Sequence, residues 1–258
     1  MRTADLGIAC LNPRSLAGDP GSPLSACAAH VLASLLGQNP SWDRRETMTN
    51  IRSSQIYLLT PLLREADLSD FASTLASVLD GGEVACVLAR LAPGAEGDAK
   101  KIVTRLTEIA ANAGAAMLVD NDPRLAARVG ADGAHMTSDA GLGEALASLK
   151  PERIVGAGLL RTRDEAMNAG EAGADYVMFG EPRRDGFTPP AEETLERVEW
   201  WAEIFEPPCV GYAASLEDVA PLAEAGADFV ALGDAIWSAP APVEALAQAR
   251  AILARRAV

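Results

Sequence analysis

From Gln55 onward, short apolar runs alternate with longer stretches whose apolar residues recur at three- and four-residue spacing. The runs 56–60, 85–90, 116–120, 133–136, 154–157, 176–179, 209–212 and 229–232 have the length and continuous hydrophobicity of strands buried on both faces. Between them, 102–113 and 215–225 read as amphipathic helices, with Ser215 and Asp218 arranged like a capping box that uses Asp in place of Glu. A final helix is expected over about 243–255, after Pro240 and Pro242.

One joint between helix and strand is written three times. The segment EAGADYVMFG at 171–180 returns as EAGADFVALG at 224–233, and a weaker copy, RVGADGAH, lies at 128–135. In each copy a helix ends, and Gly130, Gly173 or Gly226 offers the left-handed cap that a β-carbon resists before an apolar strand begins. Recurrence at roughly 40 to 55 residues marks a chain assembled from βα units. About eight such units in roughly 205 residues predict an α/β fold, a (β/α)8 TIM barrel. A doubly wound sheet is the competing architecture, but no G-x-G-x-x-G follows the first strand.

Residues 1–50 differ from the rest. They are rich in Gly, Pro, Ser and Asn, and only 26–36 has helical composition. This stretch reads as an irregular, poorly ordered N-terminal extension, with the barrel occupying 51–258. A helix closing the bottom of the barrel is the other reading. Met48 stands just before the first strand and is a candidate start of translation.

Of the 258 residues, 49% are hydrophobic and 22% charged, enough for a large core. A net charge of −14 argues against nucleic acid as a partner, because phosphate backbones demand basic surfaces. Cys10, Cys27, Cys86 and Cys209 are scattered without a C-x-x-C pair, so neither a disulfide framework nor a zinc site is expected. Apolar stretches fall short of the ~18 residues of a membrane span. Asn12, Pro13 and Arg14 break up what would be a signal peptide, leaving a cytoplasmic location as the expectation. The expected partner is a small-molecule substrate, and homo-oligomerisation stays open.

In a barrel of this kind, chemistry sits just beyond the C-terminal ends of the strands. That narrows the field to Thr60, Arg90, Asn121, Asp122, His135, Asp139, Gly158, Arg161, Gly180, Glu181, Arg183, Arg184, Tyr212 and Asp234. Asn121, Asp122 and Asp139 supply hard oxygen donors suited to magnesium. The competing reading is helix capping, with Asp122 before Pro123 at one helix start and Ser138 or Asp139 opening the next. His135 reads as a general acid or base, or as a residue bonded to nearby backbone. Arg90 reads as an anion ligand or as half of a salt bridge. Arg183 and Arg184 read as a phosphate clamp or as a solvated loop. Tyr212 and Asp234 mark the last two strand ends, where barrels often bind phosphate, and there Asp234 brings the opposite charge.

The order and spacing of Ile56-Tyr-Leu-Leu-Thr60, Val119-Asp-Asn-Asp122, Ala131-Asp-Gly-Ala-His-Met136, Gly173-Ala-Asp-Tyr-Val-Met-Phe-Gly-Glu-Pro182 and Ala225-Gly-Ala-Asp-Phe-Val-Ala-Leu232 resemble the thiamine phosphate synthase family. That family also contains the TenI-type thiazole tautomerases. The resemblance runs from about residue 56 to 236 and implies a transferase. A pyrimidine diphosphate would join a thiazole phosphate and release diphosphate with Mg2+, in thiamine biosynthesis. It also implies a catalytic role for Arg90 on the diphosphate, Asn121 beside metal contacts at Asp122 and Asp139, and Arg183 or Arg184 as substitutes for the family's sixth-loop substrate contacts. His135 is read as catalytic from its strand-end position, and Tyr212 and Asp234 as substrate contacts of the alternative given below. Several family positions differ. The pattern Gln-x-Arg-x-Lys falls on Leu88-Ala-Arg-Leu-Ala92, a pyrimidine-contacting Ser aligns with Gly158, a Gly-Gly phosphate loop becomes Ala213-Ala214, and a phosphate-loop Ser becomes Asp234. These changes support an alternative: a divergent TenI-like barrel with weak or no synthase activity that binds or isomerises another thiazole- or pyrimidine-type ligand.

Overall fold

A computed structural model describes residues 54–255. The expectations for the extension, the 26–36 helix, Met48, Cys10 and Cys27 lie outside the described residues. Eight parallel strands close into a barrel in sequence order, each hydrogen-bonded to its neighbours and β1 to β8. They are β1 Gln55–Leu63, β2 Val84–Leu91, β3 Ala116–Asp120, β4 Gly133–Met136, β5 Ile154–Ala157, β6 Tyr176–Phe179, β7 Cys209–Ala213 and β8 Phe229–Leu232. The intervening helices are α1 Leu68–Asp80, α2 Ala99–Ala113, α3 Pro123–Val129, α4 Asp139–Leu149, α5 Arg163–Glu171, α6 Ala191–Ile204, α7 Val219–Glu224 and α8 Asp234–Trp237, with α9 Pro242–Ala254 closing the ring. The (β/α)8 expectation holds. β3, β4, β5, β6 and β8 have the predicted bounds. β1 runs three residues past its predicted end, through Pro61, with a register shift between Leu59 and Leu62. A bulge admits proline, because the missing N–H is not required by the ladder there.

Two cores follow from the alternation of side chains along each strand. Tyr57, Leu59, Cys86, Leu88, Leu118, Tyr176, Met178, Val210, Tyr212 and Phe229 fill the barrel interior. Ile56, Leu58, Val87, Val119, Val155 and Val177 point outward and meet the helices. In α2 the buried residues Ile102, Val103, Leu106, Ile109 and Ala110 form one stripe, and Gly114 ends the helix at φ 76°. The two described cysteines, Cys86 and Cys209, are free and buried, and burial pushes the Cys209 thiol up to about 12.

The repeated joint has a single structural explanation. Gly130, Gly173 and Gly226 adopt φ 75°, 98° and 96° at the ends of their helices. The next residue then closes the cap: Ala131, Ala174 and Ala227 donate their N–H to the carbonyls of Ala126, Ala169 and Leu222. The Asp that follows reaches across to the preceding strand. Asp132, Asp175 and Asp228 accept the backbone N–H of Met117, Val155 and Cys209 at 2.8, 2.8 and 2.9 Å. Their own N–H groups return bonds to the carbonyls of the same three residues. Each Asp therefore clamps the N-terminal edge of the barrel and satisfies a strand-end donor that would otherwise be left unpaired. Asp218 closes the expected capping box, accepting from Ser215 N and Oγ at 2.9 Å each.

Candidate functional site

At the C-terminal end of the barrel a cavity of about 340 Å³ opens above the interior core. Leu59, Leu62 and Leu88 supply apolar wall, and Arg90, Asp120, Asn121, His135, Thr137, Arg161, Glu181, Arg183 and Arg184 supply polar groups. A smaller neighbouring pocket is lined by Ser138, Asp139, Gly158 and Arg161.

Arg90 ends β2. Its backbone N–H bonds Thr60 Oγ1 at 2.9 Å and its Nε bonds the Thr60 carbonyl at 2.7 Å. Those two bonds fix the fork and leave its remaining N–H groups directed elsewhere. Arg90 forms no ion pair within 4 Å, so the salt-bridge reading does not apply to it among the described residues. Burial pulls its guanidinium below the ordinary arginine value, and the nearby Tyr212, Asp120, Asp234 and Glu181 oppose that shift. An arginine nevertheless stays charged in a protein.

The β3 tip is strained and tied down. Asn121 has φ 55°, and both ends of its amide are engaged locally. Its Oδ1 accepts from Thr137 N at 3.0 Å and Thr137 Oγ1 at 2.8 Å, and its Nδ2 donates to Asp120 Oδ1 at 2.7 Å. Asp122 caps α3, accepting from Leu125 N at 2.8 Å, with Pro123 in the first turn. Ser138 caps α4 in the same way, and Asp139 is exposed at the first position of that helix. Both metal-ligand candidates thus sit at helix starts. Among the described residues no three His, Cys, Asp or Glu side chains come together as a metal cage. The donor set still suits a hard cation. Asp139 is open, Asp122 keeps a second carboxylate oxygen, and magnesium is ordinarily held by one or two carboxylates plus substrate phosphates.

The two adjacent arginines part company. Arg184 pairs with Asp120 across 3.0 Å, while Arg183 lies 4.7 Å over the Phe187 ring. On the far rim, Tyr212 is buried beside α8, and a β-carbon on Gly233 would come within 3.1 Å of its hydroxyl. Burial first, and then Asp234, push the Tyr212 phenol upward. Asp234 itself is exposed. Tyr212 and Asp234 contribute no lining to the 340 Å³ cavity.

His135 is where sequence reasoning was least complete. It is not bonded to backbone. Its Nδ1 lies 2.8 Å from Tyr176 Oη, which lies 2.9 Å from Tyr57 Oη, so a polar column descends through the barrel interior. On the cavity side its Nε2 is 3.6 Å from Glu181 Oε1 and has no hydrogen-bond partner. Glu181 follows Gly180, whose φ of 83° and lack of a β-carbon let β6 turn tightly against Thr194. Glu181 is one of the strand-end candidates named from sequence, as the residue a Gly-ended strand delivers to the rim, though with no role assigned there. Asp120 is not among them, because the last residue of an apolar strand offers no such signal.

No helix among the described residues is long and apolar enough to cross a membrane. Comparison with known proteins adds a lineage to this geometry. The family model described as "Thiamine monophosphate synthase" matches residues 56–236. The thiamine-phosphate synthase of Rhodospirillum centenum is 38% identical over 204 residues, covering 78% of this chain and 96% of that protein. The thiamine-phosphate synthase of Hyphomonas neptunium is 36% identical, covering 72% and 86%. Among solved structures, the thiamine phosphate pyrophosphorylase of Pyrococcus furiosus superposes with a TM-score of 0.66 at 21% identity, over 80% of this chain and 98% of its own. The 3-hexulose-6-phosphate synthase of Salmonella typhimurium does so at 0.61 and 17% identity, over 78% and 99%, which speaks to the barrel alone. On the matched span and the identities together, the chain belongs to the thiamine monophosphate synthase family.

Proposed function

We propose that the protein is a thiamine-phosphate synthase, coupling a hydroxymethylpyrimidine diphosphate to a thiazole phosphate with release of diphosphate. Kinship with curated synthases over nearly their full length supports the reaction. The geometric observation that carries it is Arg90: a half-buried guanidinium with no carboxylate partner, anchored by Thr60 and lining the central cavity. Such a group awaits an anion, and a departing diphosphate is one. The leucines above the interior core provide apolar surface against which a flat ring packs and from which water is displaced. Magnesium, when held by Asp122 and Asp139 together with the substrate's own phosphate oxygens, would neutralise charge on the leaving diphosphate. Asn121 acts by position: its bonds to Thr137 and Asp120 lock the β3 and β4 tips together. Incubating the purified protein with both substrates and magnesium should yield thiamine phosphate, and chelation should abolish the yield. No product at high enzyme concentration sinks the proposal.

A second reading has its own support. Ala213 and Ala214 carry side chains where a glycine loop would expose backbone donors, and Asp234 is an exposed carboxylate on the same rim. A barrel altered in this way would bind an unphosphorylated thiazole or pyrimidine. A ligand that prefers the native state raises the melting temperature. A thermal-shift panel in which phosphorylated ligands stabilise best eliminates this reading.

A further inference from the structure

Arg90 owes its aim to an irregularity in β1. Leu59 opposes Leu88 and Leu62 opposes Arg90, so Thr60 and Pro61 together face Ala89 alone. A bulge of this kind bends its strand and redirects the groups on it. Three carbonyls at the bulge, those of Leu59, Thr60 and Pro61, each accept from a side chain. Thr60 Oγ1 donates to the Pro61 carbonyl at 2.9 Å and accepts the Arg90 backbone N–H. The hydroxyl has one proton, so both directions are fixed. The Thr60 carbonyl accepts from Arg90 Nε at 2.7 Å, and the Leu59 carbonyl from the indole Nε1–H of Trp237 at 2.6 Å.

The bond from Trp237 spans 178 residues of sequence and starts from a well-braced place. Trp237 ends α8, where its backbone N–H and that of Ile236 bond the Gly233 carbonyl at 3.1 and 2.9 Å. Gly233 lies just past β8, the strand that pairs with β1 through Leu232 and Leu58. The indole also meets the Phe71 ring of α1 edge-on, with centroids 5.0 Å apart. An indole has one donor and no acceptor, so the seat of the ring dictates where the Leu59 carbonyl lies. That carbonyl and the Thr60 N–H share one rigid peptide plane, and the Thr60 carbonyl lies in the next. Only the two backbone dihedrals of Thr60 separate the bond made by Trp237 from the bond made by Arg90. Thr60 is fully buried and its hydroxyl is engaged on both sides, so a shift of the first plane passes to the second.

We propose that Trp237 is a positioning residue for Arg90: its indole N–H holds the β1 bulge in the geometry from which the Thr60 carbonyl orients the guanidinium toward the cavity. The role rests on the synthase reading only in taking a diphosphate as the anion that Arg90 meets. Trp237 does not line the cavity and is assigned no contact with substrate. Packing against Phe71 needs only a ring, and the N–H is the part that reaches β1.

Trp237→Phe keeps a ring against Phe71 and deletes the donor. Calorimetry on the full-length protein with inorganic diphosphate should show affinity lower by roughly fivefold to tenfold, the scale of one neutral hydrogen bond. In an Arg90→Lys background the same substitution should cost nothing further, because the Nε–H that Thr60 holds is gone. An equal loss in both backgrounds, as a merely structural role would give, overturns the proposal. Nitrogen NMR of arginine-labelled protein supplies a readout that needs no ligand. The Arg90 Nε–H signal, assigned by its absence in R90K, should exchange with solvent roughly tenfold faster in W237F than in the wild type. An unchanged exchange rate refutes the positioning role. Should the Phe variant not fold, site-specific replacement of Trp237 by benzothienylalanine preserves the two-ring shape without an N–H, and the same two measurements decide. Product formation by the wild-type protein is scored alongside. Faster Arg90 exchange in the variant with no thiamine phosphate from the wild type defeats the synthase reading alone. Thiamine phosphate from the wild type with an unmoved Arg90 signal defeats the positioning role alone.

Discussion

At the N-terminal end of the barrel, Asp132, Asp175 and Asp228 each accept a strand-end N–H of the preceding strand, through the same turn and at nearly the same distance. At the C-terminal end, the strands that follow those three residues finish in unlike chemistry. β4 leads into Thr137, β6 into Gly180 and Glu181, and β8 into Gly233 and Asp234. The same three units are thus interchangeable at one end and individual at the other. The clamp end satisfies backbone donors and is judged by stability. The cavity end, among the described residues, holds Arg90 without an ion pair and His135 Nε2 without a hydrogen bond, both of which cost stability.

The largest effect should come from breaking a clamp. Asp175 accepts the Val155 N–H and pairs with Lys150. Asp175→Ala leaves a buried N–H unsatisfied and strips Lys150 of its partner, for an expected loss of about 3 kcal/mol. That corresponds to a melting temperature lower by roughly 10 °C in a domain of this size. Ligand affinity of the folded fraction should not change. Loss of affinity in step with stability would mean that the two ends are coupled through the strands.

Much of the clamp end was legible in the sequence, and little of the cavity end was. A Gly-Ala-Asp joint is a local instruction: glycine permits a positive φ, alanine closes the cap, and the aspartate reaches only to the neighbouring strand. The predicted bounds of five strands follow from the same short-range logic. Relations at the cavity end join residues far apart in sequence. Asp120 meets Arg184, and Glu181 meets His135 only because residue 158 is glycine. Arg183 and Arg184, adjacent in sequence, turn to Phe187 and to Asp120. Pairing of this kind depends on the closed barrel and cannot be read from spacing.

Arg90→Ala tests the opposite end. Removing a desolvated cation that pairs with no carboxylate should change stability by less than about 1 kcal/mol, since the lost Thr60 contact is offset by relief of burial. Affinity for a diphosphate-bearing ligand should fall by about a hundredfold, the scale of a charge-assisted hydrogen bond pair. Calorimetry on the variant checks this, and an unchanged diphosphate affinity would remove Arg90 from the site. Arg90→Lys should recover only part of the loss, because an ammonium lacks the fork that Thr60 anchors.

A smaller effect depends on pH at the Asp132 clamp. Burial raises the Asp132 carboxyl above its ordinary range, with the Met117 N–H and Arg153 opposing. The folded state therefore holds this proton more tightly than the unfolded chain does. Between the ordinary Asp value near about pH 4 and the raised folded value, the native state binds more protons, so stability falls as pH rises through that window. Asp132→Asn should flatten this part of the stability profile in urea titrations run at successive pH values. A stability that instead rises there in the wild type, and rises less in the variant, would reverse the assigned direction.

The smallest change should come from Arg184→Ala. The Arg184 side chain is 54% exposed while its partner Asp120 is 8% exposed, so the pair is half solvated and worth well under 1 kcal/mol. Its removal nevertheless matters to the comparison, because Asp120 also accepts from Asn121 and sits in the field of Arg90. Without Arg184, Asp120 is free to turn toward Arg90 and compete with an anionic ligand for it. Diphosphate affinity should then fall severalfold, less than for Arg90→Ala, and the loss should shrink in high salt as the exposed charges are screened. A loss as large as that of Arg90→Ala would mean that Arg184 leaves Asp120 and joins Arg90 on the ligand. The rim would then work as a paired clamp, and the contrast between the repeated end and the individual end would extend from residue identity to motion.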